Sequence, residues 1–425
     1  MKDWILRINL LVFIVLTVCY LYQVVYVAVV LFKRNKQKQN LPCIFHRYGV
    51  LIAARNESMV IGNLIRSIQN QTYPGKLVDI FVVADNCTDD TAGIARQLGA
   101  KVYERFNKQE VGKGYALDFA FRRIAQDYGN DYYDAFFVFD ADNLLDPHYI
   151  DEMNAVFSQG YQIITSYRNS KNYATNWITA GYSLWFLREA KYLNNARMML
   201  GTNCAISGTG FMISNKIVQK YGGWKFHLLT EDIEFSIACA TRGRRIGYCG
   251  KAVIYDEQPE KFKQSWDQRL RWSKGFYQVD AKYTGSLLRG CTRGGRDGMS
   301  CYDMLMTVAP CNLFTIAVLA LSIIVCAASL TQPAFITYRA MRVLGRIFWL
   351  TLRGITASLF LFGAVTMAAE WKRIAGPVHK KILYTFTFPF FMLTYVPISV
   401  AALVGKVEWR PIRHGIASSN SSIES

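Results

Sequence analysis

Four stretches of this chain carry no charge: residues 8–32, 304–338, 354–369 and 382–405. A helix over 8–32 would run about 37 Å at ~1.5 Å per residue, more than the roughly 30 Å of hydrocarbon in a bilayer. It is rich in Leu, Val and Ile and too long for a cleaved signal peptide, and no small-residue cleavage site follows it. The other three stretches are further membrane candidates. The 354–369 stretch is short and needs 347–352 in front, which takes Arg353 into the span, to snorkel or to face protein. Residues 33–303 hold no charge-free run long enough to cross. The chain therefore divides into a membrane helix (1–35), a water-facing domain (36–260), an interfacial amphipathic segment (261–300), C-terminal transmembrane or re-entrant helices (301–405) and a polar tail (406–425).

The basic flank after the first span (Lys33, Arg34, Lys36, Lys38) places the domain on the cytosolic side of an integral, plasma-membrane protein. Three simple C-terminal crossings would put the tail outside. That tail (Lys406, Arg410, Arg413) is basic, and so is the 370–381 loop. One apolar segment is therefore expected to be re-entrant or interfacial, with 382–405 (Pro389, Pro397) and 304–338 as candidates.

The net charge is +18. Basic residues cluster beside the apolar spans, which fits anionic headgroups, and no nucleic-acid-binding motif appears. The partners expected are membrane lipids and no nucleic acid. Ten cysteines include no CxxC pair and no Cys/His cluster, so neither a zinc site nor a disulfide framework is expected. Cys87, Cys204, Cys239 and Cys249 read as small core thiols.

Within the domain, apolar runs at 48–54, 78–84 and 135–139 and a short one at 100–104 read as strands. Helices are expected from an Asn56 cap to Gln69, over 89–98 behind Thr88, and from Gly112 to Asp127. Strand alternating with helix, with strands apolar on both sides, implies a mostly parallel α/β sheet covered on both faces. Ligands bind beyond the carboxyl ends of such strands. The polar residues fall there: Arg55 and Glu57, Asp85, Asp140 and Asp142.

Asp140-Ala141-Asp142 follows an apolar strand, so two carboxylates can reach one ligand assembly. A divalent cation would relieve their repulsion and grip a diphosphate; a solvated acidic turn is the bland reading. Asp85 could accept from a base or ribose, or serve turn chemistry with Asn86. Lys113 between two glycines could meet phosphate at a helix start, although the P-loop pattern is absent. Thr230-Glu231-Asp232 is either a helix cap or a general base that the helix N-terminus keeps ionised. Gln268, Arg271 and Trp272 share a helical face in a basic aromatic stretch. That face could hold diphosphate and sugar, or lie amphipathically in the interface.

In order, these segments resemble family 2 glycosyltransferases of the GT-A fold, of the membrane polysaccharide synthase type (cellulose, chitin, hyaluronan and poly-N-acetylglucosamine synthases). The shared pieces are Ala53-Ala54-Arg55-Asn56-Glu57, Asp85, Gly112-Lys113-Gly114, Asp140-Ala141-Asp142, Ser207-Gly208-Thr209-Gly210, Thr230-Glu231-Asp232 and Gln268-Arg269-Leu270-Arg271-Trp272. The resemblance covers about 45–275. It implies that Ala53, Glu57, Asp85 and Lys113, with Arg55 and Gly208 beside them, hold the donor. Asp142 would bind Mg2+ or Mn2+, with Asp140 on the metal or nucleotide. Asp232, with Glu231 next to it, would deprotonate the acceptor hydroxyl. Gln268 and Arg271 would line the diphosphate, and Trp272 would stack beneath the acceptor sugar. The expected reaction is inverting, metal-dependent transfer from a UDP-sugar to a growing glycan. The alternative is a single addition to a lipid or lipid-phosphate acceptor. The chain is short beside cellulose synthases, and about four membrane helices weigh against a wide polymer channel.

Overall fold

The computed structural model describes residues 2–32, 44–309, 320–328, 330–331 and 333–407. Its centre is one eight-stranded sheet in the order 3-2-1-4-7-6-8-5. The strands are β1 (Tyr48–Ala54), β2 (Val78–Asp85), β3 (Lys101–Arg105), β4 (Ala135–Asp140), β5 (Leu144–Leu145), β6 (Ile163–Ser170), β7 (Phe211–Ser214) and β8 (Gly247–Asp256). The 3-2-1-4 half is parallel throughout. β7 runs antiparallel to β4 and β6, β8 is parallel to β6, and β5 is antiparallel to β8.

Alternation along the strands fills two layers. Leu51, Phe81, Val83, Phe136 and Val138 face α4 (Lys113–Tyr128). Val50, Ile52, Val82, Phe137 and Phe139 face α2 (Ile61–Gln69). Each such side chain contributes about 1.5–3 kcal/mol by leaving water.

Two helix starts differ from expectation. The first helix begins at Ile61 rather than at Asn56, because Asn56 is left-handed (φ +58°) and its side chain accepts from the Thr88 amide at 2.7 Å. The Glu57 amide is taken by Thr91 Oγ1 at 2.8 Å and that of Ser58 by Asp89 Oδ2 at 3.1 Å. Loop-to-loop bonds thus replace the first helical turn. Thr88 does not cap α3 (Thr91–Gln97); Asp89 Oδ1 accepts from the Thr91 amide at 3.1 Å instead. The other expected elements lie within a residue or so of their positions. Cys204, Cys239 and Cys249 are buried free thiols, and Cys87 is half-buried.

Three described helices have the length and apolarity to cross a membrane, over Leu10–Phe32, Thr337–Glu370 and Val378–Val404. The first belongs to α1 (Lys2–Phe32). The 304–338 stretch is divided. Its start ends α11 (Gly295–Val308), 310–319 lies outside the described residues, and its end opens α12 (Ala334–Glu370). α12 also absorbs 347–369, so Arg353 lies inside one long helix, exposed. The last span is α13 (Val378–Leu393) followed by α14 (Tyr395–Val404).

Buried polar joints fasten these helices to the sheet domain. Arg197, on α7 (Asn195–Leu200), pairs with Asp303 of α11 through Nε at 2.7 Å and Nη2 at 2.8 Å. Tyr22 and Tyr26 of α1 donate to the same carboxylate at 3.1 and 2.8 Å. At the end of α12, buried Glu370 takes a bond from Tyr167 of β6 at 2.5 Å and pairs with Lys191 at 3.1 Å.

Candidate active site

Parallel strands end along one edge, and register decides what meets there. Ala53 is opposite Val83 on one side and Asp140 on the other, so the tips of β1, β2 and β4 lie side by side with Asp85 and Asp142 just beyond. A cavity of about 640 Å³ opens over this edge. Ala53, Arg55, Glu57, Asp85, Lys113, Asp140, Asp142, Gly208, Glu231, Asp232, Gln268, Arg271 and Trp272 all line it. Residues spread over two hundred positions of sequence thus share one space.

At the β2 end, Asp85 is buried and its Oδ1 accepts from Arg105 Nη1 at 2.8 Å. Burial pushes its pKa up while Arg105 pulls it down. Arg105 was missed in the sequence, although it sits opposite Asp85 in the β2–β3 register and ends its strand just as Asp85 does.

Between glycines, Lys113 opens α4 and donates to Asp140 Oδ1 and to the Gly208 carbonyl (2.8 Å). The second glycine has a packing reason: a Cβ on Gly114 would lie 2.2 Å from the Phe226 carbonyl oxygen. Gly208 is left-handed (φ +77°), a conformation that glycine adopts without the Cβ penalty. A Cβ there would sit 3.9–4.0 Å from Arg168 Nη1, Asp232 Oδ2 and Asp140 Oδ2, which places Gly208 between the strand-end acids and Asp232.

Asp142 is buried, and its Oδ2 accepts from the Glu257 amide at 3.2 Å; Asp140 is partly open, at 39% side-chain exposure. Behind them, Arg168 of β6 donates through Nε to Asp256 Oδ2 at 2.7 Å. Burial pushes the Asp256 carboxyl up to about 7, and the charges of Asp142 and Asp140 push the same way against Arg168. Negative charge is therefore crowded at this edge. Among the described residues no group of three His, Cys, Asp or Glu side chains is placed to hold a metal. Two carboxylates could still do so if diphosphate oxygens and water completed the shell, as oxygen-preferring cations accept. On charge and donor type the residues fit such an ion. Asp256 ends a strand and was legible by the rule that found Asp140; mid-strand Arg168 carried no such signal.

The Thr-Glu-Asp segment opens α9 (Glu231–Thr241) without a cap bond from the Thr230 side chain. Glu234, one turn in, does the local work: its Oε2 accepts from the His227 and Leu228 amides at 3.1 Å each. Glu231 and Asp232 are left facing the cavity. The expectation that the helix N-terminus keeps Asp232 ionised meets an opposing effect, since burial pushes its pKa up. Burial and then Asp232 push Glu231 up to about 7. Glu189 also lines the cavity. It begins a π-helical turn (Glu189–Asn194), and its Oε2 accepts from Ser207 Oγ at 2.9 Å. Nothing in sequence marked it.

Gln268, Arg271 and Trp272 lie on α10 (Phe262–Cys291). The Gln268 Oε1 is buried with no hydrogen-bond partner among the described residues, an acceptor that a ligand hydroxyl would satisfy. Trp272 packs edge-on against Tyr182 (5.8 Å) and Phe186 (6.1 Å) of α6 (Trp177–Arg188). Arg269, between them, faces away. It is buried and donates to the Phe391 carbonyl at 3.2 Å and Thr394 Oγ1 at 2.6 Å, at the α13–α14 break.

A family model described as "Glycosyltransferase like family 2" matches residues 46–275, more than half of the chain. The chain belongs to glycosyltransferase family 2. The matched segment is its glycosyltransferase domain. A "Probable glycosyltransferase YdaM" of Bacillus subtilis is 27% identical over 61% of this chain and 62% of its own length. A beta-monoglucosyldiacylglycerol synthase of Synechocystis is 27% identical over 54% and 47%. A poly-beta-1,6-N-acetyl-D-glucosamine synthase of Staphylococcus aureus is 25% identical over 54% and 54%. The chain thus spans about half to three-fifths of the length of these relatives. A Pyrobaculum calidifontis mannosyltransferase solved with GDP-Man and Mn2+ superposes with a TM-score of 0.55 at 14% identity, over 93% of this chain and 99% of the other. That likeness concerns the fold. This glycosyltransferase has the expected GT-A fold, with three candidate membrane helices among the described residues.

Proposed function

We propose that this glycosyltransferase catalyses inverting transfer from a UDP-sugar to an acceptor hydroxyl at the cytosolic face of the plasma membrane. Asp142 and Asp140 would hold Mg2+ or Mn2+, which when bound would supply positive charge to offset that of the leaving diphosphate. The observation that carries the reading is the single cavity joining the strand-end acids to Asp232, Gln268 and Trp272. Ala53, Arg55, Glu57 and Asp85 hold the nucleotide, and Lys113 and Arg271 meet the diphosphate. Asp232 takes the proton from the acceptor hydroxyl. The hydroxyl oxygen bonds to the anomeric carbon as the bond from that carbon to the diphosphate oxygen breaks, and UDP leaves with its electron pair. A base whose pKa burial brings toward neutrality is stronger than a solvated carboxylate.

The sign of the pH dependence follows. The Glu231/Asp232 pair holds its protons more tightly than free carboxyls do, and it must be ionised to accept a proton. Activity is expected to be lost on the acid side at a pH above the ordinary carboxylate range, because burial raises the Asp232 pKa. A kcat/KM profile flat from pH 5 to pH 8 would reject this assignment.

Trp272, as a platform for an acceptor sugar, would suit an extending glycan. The rest of the wall favours a lipid-borne acceptor: Ile355, Leu359, Phe362, Met392 and Val396 carry the cavity into the candidate membrane helices, and such apolar walls give sugar hydroxyls no strong hydrogen-bond partners. A donor screen with membranes, using UDP-glucose, UDP-N-acetylglucosamine, UDP-galactose and GDP-mannose, tests both parts. Released diphosphate identifies the donor, and product length separates a single addition from polymer. No release from any UDP-sugar would overturn the donor reading.

The segment Val378–Val404 stays with the catalytic domain along its length. Lys380 donates to the Ala174 carbonyl at 2.8 Å, Arg269 bonds at the break, and Lys274 donates to the Ala402 carbonyl at 3.0 Å. A helix lying along the interface keeps both the 370–381 loop and the basic tail inside. A cysteine placed at Lys406 should react with an impermeant thiol reagent only in inside-out vesicles; labelling from outside would restore a crossing.

A further inference from the structure

Three arginines of low exposure pair with carboxylates, Arg105 with Asp85, Arg168 with Asp256 and Arg197 with Asp303, and the buried Arg269 is held by the Phe391 carbonyl and Thr394 Oγ1. Arg188, half-buried, has no carboxylate in hydrogen-bond contact among the described residues. It ends α6 at the membrane side of the cavity and lines it. Its Nη2 donates to Gln23 Oε1 of α1, and its guanidinium lies 5.4 Å from the Trp185 ring centre and 5.2 Å from that of Phe362 of α12. It forms no ion pair among the described residues. The neighbouring Glu189 turns the other way, to Ser207 beside Gly208. Burial pulls the Arg188 pKa down, against the charges of Tyr22 and Glu189, so the cation is only partly compensated. Such a cation is costly unless a ligand completes it.

Two further observations indicate the ligand. Beyond Arg188 the cavity wall is Ile355, Leu359, Phe362 and Met392, surface suited to hydrocarbon chains. On its other side Glu189, Ser207 and Gly208 lead to Asp232, whose Oδ2 lies 3.9 Å from where a Gly208 Cβ would be. An amphiphile that fills this space has its chains among the membrane helices, its anion at Arg188 and a hydroxyl reaching toward Asp232.

We propose that Arg188 is an anion-binding residue of the acceptor subsite, holding the phosphate of a hydroxyl-bearing phospholipid. This deepens the acceptor side of the function proposed above and rests on it. A guanidinium offers a planar fork of donors matched to phosphate oxygens.

The test measures binding to the full chain in neutral detergent. The probes are dioctanoyl phosphatidylglycerol, dioctanoylglycerol (the same chains without phosphate) and glycerol phosphate (the same anion without chains). Wild type is expected to bind the phospholipid at least tenfold more tightly than either fragment. Arg188→Gln should remove the advantage over dioctanoylglycerol while UDP binding stays within twofold. Equal wild-type affinity for phospholipid and diacylglycerol overturns the proposal, and this comparison needs no variant. Equal affinity for glycerol phosphate and phospholipid makes the ligand a soluble phosphate and overturns the lipid. Undiminished phospholipid binding by Arg188→Gln overturns the role of the residue. Absence of UDP binding in wild type counts against the donor reading alone, because the lipid comparison is read separately.

Discussion

Asp232→Asn is expected to lower turnover by about 10²–10⁴-fold, the range a positioned general base contributes, with UDP-sugar binding within twofold of wild type. The substitution preserves shape. Asn keeps an oxygen near Gly208, and the fold at this point is held by other groups, since Glu234 caps the preceding amides. What is lost is the proton acceptor. Glu231 does not replace it freely, because its side chain is buried where that of Asp232 is half-open. Single-turnover rates, measured beside equilibrium binding of the donor, separate the two effects. A turnover unchanged by the substitution removes Asp232 from the chemistry. A parallel loss of donor binding makes it part of the nucleotide pocket.

Asp303→Leu is expected to cost about 3–5 kcal/mol of stability, the usual result of stripping one partner from a buried ion pair. The side chains of Arg197 and Asp303 are essentially inaccessible, at 1% and 0% exposure. Tyr22 and Tyr26 would also lose their shared acceptor. The consequence is mechanical as well as energetic, because this carboxylate is where α1, α7 and α11 meet. Thermal unfolding of the purified protein in detergent reads the stability, and protease cutting between α1 and the domain reads the release of the helix. Arg197→Met with Asp303→Leu removes both charges and should recover most of the loss, since an apolar replacement of a buried pair is often neutral or better. If the single substitution costs under about 1 kcal/mol, the pair is not what fastens the N-terminal helix.

The strands were legible because the signal is local. A run such as Ile80–Ala84, apolar on both faces, fits little else than a strand covered on both sides. The site edge was legible for a related reason: parallel strands end together, so acids that close such runs collect at one edge. Asp85, Asp140 and Asp142 were found in that way, and Arg105 and Asp256 obey the same rule. Helix starts were less legible. Asn56 has the chemistry of a cap, but its side chain binds a loop thirty-two residues away, and no window of sequence contains that competitor.

Amino-acid order alone determined the long apolar stretches, the covered parallel strands, and the acids at their ends, because hydropathy and strand period act over a few residues. Tertiary structure decided the rest. It joined Glu231, Asp232 and the Gln268/Arg271/Trp272 face to the strand edge, laid α13 and α14 along the domain, and left Arg188 without an ion pair among the described residues. Those outcomes depend on which surfaces meet across hundreds of residues, and on which buried charge finds a partner there. Packing sets both, and no local pattern carries it.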